Sequence, residues 1–245
     1  MKKLNVAVIG VGFWGKNHVR IYDHLLNAEL KAVCDRDRDR VREVTKKYGV
    51  DGYTDSSLLL KREDIDAVSI CTWSTELAKE ASKALNAGKH VLVEKPMAVN
   101  SIEAEKIVKL SEDNGLSLMV GFIERFNPGV LQIKEFVESG KVGKVVSAFS
   151  RRVSRWPERI GDIGIVKDTA IHDLDLFNYL FGDNPISVYA RVGNLRLKRF
   201  EDYAQIMIRY EDGVTCFVEA NWLTPYKIRQ LVITGSEAVV NLDYI

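Results

Sequence analysis

The first half of the chain alternates short apolar runs with segments whose apolar residues return at helical spacing. Runs at 4–9, 30–34, 67–71, 91–93 and 116–120 predict buried strands. Segments at 13–26, 37–48, 74–87 and 101–113 predict helices, the second with Val41 and Val44 on one face. Asn100 followed by Glu103 has the form of a capping box for the last of these. Strands that are apolar throughout and separated by helices predict a parallel sheet covered on both faces.

After Gly121 the pattern changes. A helix at 128–139 leads into 144–153, and a second helix is predicted at 168–181. Runs at 186–192, 203–210, 214–221, 228–234 and 238–242 have the look of antiparallel strands. Glu211-Asp212-Gly213 makes a tight turn between two of them. The expectation is a doubly wound α/β domain over 1–122, then an α+β domain with a mainly antiparallel sheet over 123–245.

Composition narrows the field. The 245 residues include 35 basic and 34 acidic ones, a net charge of +1 that favours neither nucleic acid nor an anionic membrane. No apolar run approaches the roughly 20 residues that span a bilayer. The N-terminus runs straight into a strand pattern, so no signal peptide is expected. Cys34, Cys71 and Cys216 lie far apart, and with the four histidines they form no metal-ligand spacing. The natural compartment is the cytoplasm.

Gly10-Val11-Gly12-Phe13-Trp14-Gly15 is a GxGxxG sequence between a predicted strand and a predicted helix, and Asp35 follows twenty residues after Gly15. That context makes it a dinucleotide fingerprint of a Rossmann domain. The glycines let backbone N–H groups approach a pyrophosphate at a helix start, and Asp35 would accept the ribose hydroxyls. Phe13, Trp14, Arg36, Thr72, Glu94 and Lys95 join the candidate cofactor residues. Asp35 favours NAD, because it would repel the 2′-phosphate of NADP. Arg36 could receive that phosphate, whereas Arg38 and Arg40 have the look of a salt-bridged helix start.

Lys95 follows the strand at 91–93 and precedes Pro96, which excludes it from the helical region of backbone space. It stands where open parallel sheets bind ligands, though spacing alone favours a surface lysine. Asp168, His172, Asp175 and Tyr179 form one polar stripe on the helix at 168–181. That stripe suits either an exposed ion-paired face or a base, His172, that takes a hydroxyl proton during hydride transfer. His18 is expected to pack on the first helix, His24 to be exposed and His90 to be structural.

The segments Val8-Ile9-Gly10-Val11-Gly12 and Gly88-Lys89-His90-Val91-Leu92-Val93-Glu94-Lys95-Pro96, with the Asp168…His172 pair, resemble the glucose–fructose oxidoreductase/inositol dehydrogenase (Gfo/Idh/MocA) family. The resemblance implies an NAD-dependent sugar dehydrogenase in which Lys95 and His172 flank the reacting carbinol and Asp168 helps bind the sugar. A narrower likeness runs through 121–128, 151–153, 163–168 and 221–225. It resembles enzymes that oxidise C3 of UDP-N-acetylglucosamine or its uronic acid, and makes Arg125, Asn127, Arg152 and Arg159 candidates for the sugar or its diphosphate. Where the family often has a proline and, four residues later, a histidine, this chain has Trp73 and Leu77. Relatives continue beyond the strand at which this chain stops, so an exposed sheet edge is expected. The alternatives are an inositol or free aldose as substrate, or a non-catalytic NAD-binding sensor. A homo-oligomer, dimer or tetramer, is expected from the uncovered face of the second sheet.

Overall fold

Residues 3–157, 162–182, 184–196 and 198–245 are described in a computed structural model of the chain. They divide into two units, Met1–Gly121 and Phe122–Ile245.

In the first unit six parallel strands carry the glycine loop. They are β1 (Leu4–Ile9), β2 (Ala28–Cys34), β3 (Asp51–Tyr53), β4 (Ala67–Ile70), β5 (His90–Val93) and β6 (Leu118–Val120), in the spatial order β3-β2-β1-β4-β5-β6. The chain order reverses between β1 and β4, the point at which open α/β sheets bind ligands. Successive residues of β1 face opposite cores. Val6 and Val8 pack with Val19 of α1 (Gly15–His24) and Val44 of α2 (Arg38–Tyr48). Ala7 and Ile9 pack with α3 (Ser56–Leu60), α4 (Ser74–Asn86) and α5 (Ser101–Asp113) through Leu59, Leu77 and Ile107. Burial on both faces is the physical reason these strands are continuously apolar.

Two elements depart from the pattern. β3 is three residues at the sheet edge with little apolar content, and α3 is five residues capped by the Asp55 carboxylate on the Ser57 N–H at 2.8 Å. Both are too short to carry a period. The cap of α5 is as expected in position: Asn100 Oδ1 accepts from Glu103 N–H at 2.9 Å. The return bond runs from the Asn100 side-chain amide to Glu103 Oε1 at 3.1 Å rather than from the backbone.

The second unit is a six-stranded sheet, β12-β11-β7-β10-β9-β8. Its strands are β7 (Val145–Arg155), β8 (Pro185–Gly193), β9 (Tyr203–Tyr210), β10 (Thr215–Asn221), β11 (Leu223–Gly235) and β12 (Val239–Asp243). All neighbours are antiparallel except β7 and β10, which run parallel at the centre. One face is covered by α6 (Pro128–Glu138) and α7 (Ile171–Phe181), and β9 alternates strictly between buried and exposed residues. The other face presents Phe149, Phe217 and Met207 in one cross-strand row, each about two-fifths exposed. β8 and β12 are the edges.

The helix expected at 168–181 is divided. A π-helical turn over Val166–Ala170 precedes α7, so Asp168 and His172 lie in different kinds of turn. Single π turns of this sort are frequent at functional sites.

Cys34 and Cys216 are buried small core residues, and burial, with nearby carboxylates, pushes both thiols up to about 12. The Cys71 thiol is likewise raised, first by burial and then by Glu94. In the unfolded chain these thiols ionise near pH 8.5. Above that pH the unfolded state binds fewer protons than the native state, so stability falls as pH rises. Urea denaturation is expected to give level stability up to about pH 8 and a progressive loss between about pH 9 and 12. Replacing the three cysteines with alanine or valine should flatten that limb; an unchanged slope would refute the attribution.

Candidate active site

The glycine loop is built on contacts that only glycine permits. Gly10 has φ +88°, and a Cβ there would stand 2.6 Å from the Cys71 carbonyl oxygen. A Cβ on Gly15 would fall 1.8 Å from the Gly10 oxygen, so α1 starts with its backbone against the end of β1. Trp14 places no side-chain cap on α1, and no acidic residue occupies its first turn. Lys16 and Asn17 N–H already donate to the Gly12 and Trp14 carbonyls at 3.2 and 2.9 Å, and the dipole of the helix favours an anion at this end.

Asp35 closes the far side of this cradle. Its Oδ2 accepts from Val11 N–H at 2.9 Å and its Oδ1 from Asp37 N–H at 2.9 Å. Two backbone donors therefore orient the carboxylate, and each oxygen keeps capacity for a hydroxyl. Arg36 is turned toward Glu76 at 2.7 Å, and Arg40 pairs with Asp37 at 3.2 Å. The residues present fit an NAD pyrophosphate and an unphosphorylated adenosine ribose. Thr72 is half-buried just after β4, and Phe13 is exposed on the loop.

Glu94 and Lys95 follow β5 at the same carboxyl edge of the sheet. Glu94 is buried, and its Oε1 accepts from Trp14 Nε1 at 2.8 Å and lies 3.0 Å from His18 Nε2. His18 therefore does more than pack on its helix, a link from α1 to the end of β5 that spacing along the chain could not show. Lys95 is half-buried, and its peptide bond to Pro96 is cis. Trp73 is exposed after β4, while Leu77 is a core residue of α4. His24 is exposed, and His90 Nδ1 accepts from Ser117 N–H at 2.9 Å.

In the second unit Asp168 and His172 are both half-buried. Asp168 accepts from Thr169 Oγ1 at 3.1 Å. The rest of the predicted polar stripe turns inward: Asp175 is buried and receives Arg125 Nε at 2.8 Å. Arg125 also stacks against Tyr179, 5.3 Å from the ring centroid.

Arg152 needs correction as a sugar or diphosphate ligand. It is 3% exposed, bonds Asp173 through Nε at 3.0 Å and Nη2 at 3.1 Å, and reaches Glu124 through Nη1 at 2.8 Å. Burial works against its charge, but the two carboxylates outweigh burial and hold the guanidinium above its ordinary pKa. Asn127 is half-buried, and its Oδ1 caps α6 on Gly129 N–H at 3.0 Å. Arg159 lies outside the described residues. Sequence reasoning passed over Glu124 and Asp173, because nothing along the chain distinguishes a buried carboxylate from an exposed one.

It also passed over Lys227 and Arg229 on β11. Arg229 stands opposite Arg152 in the strand register. Burial, then Arg152, lowers its pKa, while Arg229 and then burial lower that of Lys227.

Among the described residues no group of His, Cys, Asp and Glu side chains could hold a metal, and no helix is long and apolar enough to cross a membrane. Residues 4–122 match the oxidoreductase family with an NAD-binding Rossmann fold (GFO_IDH_MocA), and 130–241 match the GFO/IDH/MocA C-terminal domain. Inositol 2-dehydrogenase 3 of Saccharopolyspora erythraea is 31% identical over 98% of this chain and 73% of its own length. An inositol 2-dehydrogenase/D-chiro-inositol 3-dehydrogenase of Shouchella clausii is 31% identical over 98% of this chain and 72% of its own. A solved structure described as a probable dehydrogenase of Thermotoga maritima superposes with a TM-score of 0.91 at 26% identity, covering 99% of this chain and 76% of that one. Both curated relatives are named for inositols, so the narrower likeness to UDP-N-acetylglucosamine enzymes is not supported. The chain belongs to the Gfo/Idh/MocA family of oxidoreductases, and its first unit is that family's NAD-binding Rossmann domain.

Proposed function

We propose that the chain is an NAD-dependent dehydrogenase of a secondary hydroxyl on a cyclic polyol, of the inositol type, with free aldoses as the second substrate class. The observation that carries this reading is the cradle formed by Gly10, Gly15 and Asp35 in a chain 31% identical to two relatives named as inositol dehydrogenases. When bound, NAD supplies the hydride acceptor.

The protein's own residues would do the rest. His172 takes the hydroxyl proton onto its imidazole as the carbon loses hydride. Lys95 steadies the developing alkoxide by its charge. Asp168 accepts a substrate hydroxyl and orients the ring. Asp35 selects the unphosphorylated cofactor, and the Arg36–Glu76 pair keeps the nearby guanidinium occupied. The uncovered apolar row of Phe149, Phe217 and Met207 supports a homo-oligomer built on that sheet face.

Lys95→Ala and His172→Ala, made separately, are expected to lower NADH formation from myo-inositol about 10²–10⁴-fold while NAD still binds. Near-normal turnover by either variant would overturn its assignment. Asp35→Ala should weaken NAD about 10–100-fold in a fluorescence titration, the size of a lost charged hydrogen bond. Arg152→Met tests a structural role instead. It strands two buried carboxylates and should cost about 3–5 kcal/mol in urea denaturation. An unchanged stability with weakened substrate binding would restore Arg152 as a ligand.

A further inference from the structure

Arg125 and Arg152, singled out by the sequence, are taken up by carboxylates, but two cations on β11 are not. Among the described residues, neither the Arg229 guanidinium nor the Lys227 ammonium takes part in a hydrogen bond or ion pair, although Arg229 is only partly exposed. Their positions are set by the sheet. Arg229 projects to the face on which Leu231 and Ile233 are buried, and Lys227 stands two residues before it, where the register with β7 is interrupted, with Arg229 the main influence on its charge. Arg229 is in register with Arg152 on β7, and facing residues of an antiparallel pair bring their Cβ atoms to about 4.5–5.5 Å.

Like charges placed opposite one another on a sheet are unfavourable unless something answers them. Arg152 is answered by Asp173 and Glu124, which hold its N–H groups at 2.8 to 3.1 Å. These carboxylates attract Arg229 at a distance but give it no acceptor. Asp168, the candidate substrate ligand, is also within electrostatic reach of Arg229. Arg229 thus keeps a planar fork of donors, with three more on Lys227 beside it. A neutral hydroxyl would satisfy one of them, whereas a carboxylate or phosphoryl group matches the fork with two parallel bonds.

We propose that Arg229, flanked by Lys227, receives an anionic oxygen group carried by the substrate, so that the preferred substrate is an acidic polyol, a sugar acid or a sugar phosphate, rather than a neutral one. This rests on the reading of the chain as a polyol dehydrogenase. The group takes no part in the hydride step; it fixes which way the ring lies against Asp168.

The test is NADH formation by the full chain with two matched pairs: glucose against glucuronate, and myo-inositol against myo-inositol 1-phosphate. The wild type is expected to show a kcat/KM at least tenfold higher for the anionic member of one pair, and the pair concerned identifies carboxylate or phosphoryl. Arg229→Met should lower that anionic-to-neutral ratio at least tenfold, and Arg229→Lys should restore part of it. Equal ratios in wild type and variant, or a preference for both neutral members, would overturn the inference and leave the dehydrogenase reading intact. Turnover of none of the four compounds would count against the dehydrogenase reading. The subsite is then decided by the melting temperature: glucuronate or inositol phosphate should raise it in the wild type and not in Arg229→Met, and equal or absent shifts would refute the site. Lys227→Met supplies the same comparison should Arg229→Met fail to fold.

Discussion

The first unit depends on a backbone contact that no side chain allows. The start of α1 rests against the Gly10 carbonyl at Gly15, so close that a single methyl group would collide with it. That contact brings the helix N-terminus to the end of the central strand, and the neighbouring features take their places around it. Asp35 ties down Val11 from one side, while Glu94 holds Trp14 and His18 from the other. The cofactor cradle is therefore assembled by the chain's own hydrogen bonds before any ligand contributes.

The second unit is organised by charge. A guanidinium buried between two carboxylates is costly to desolvate, and its value lies more in where it fixes the elements than in net stability. Arg152 joins β7 to α7 through Asp173 and to the turn at Ile123–Phe126 through Glu124. Arg125 repeats the device with Asp175, two residues further along α7. The helix that carries His172 is thus held to its surroundings by two buried carboxylates about 200° apart around its axis.

How far the sequence could be read follows from this physics. Apolar periodicity located β1, β2, β4 and β5, because buried strands must be apolar, and it missed β3 and α3, which bury too little to leave a pattern. The glycine loop and Asp35 were legible because their spacing is dictated by backbone geometry. Arg125 and Arg152 were visible as charges, but what they face depends on contacts 21 to 50 residues away, which no local pattern records. The same holds for the Glu94 carboxylate and His18, 76 residues apart. The helix at 168–181 was found, but its π-helical turn was not, since one residue of slack leaves the apolar spacing nearly intact.

That slack has a consequence for how this segment tolerates change in length. An α-helix turns by about 100° per residue, so removing one residue from the wider turn would let it rewind as ordinary helix. Because the wider turn takes up its extra residue within one revolution, the segments on either side would keep nearly their mutual facing. Asp168 lies within the turn and His172 just beyond it, so the extra residue changes how many positions separate them more than which way they face. A homologue with one residue fewer would present the same two residue types at a spacing of three in an ordinary helix, where i and i+3 still share a face.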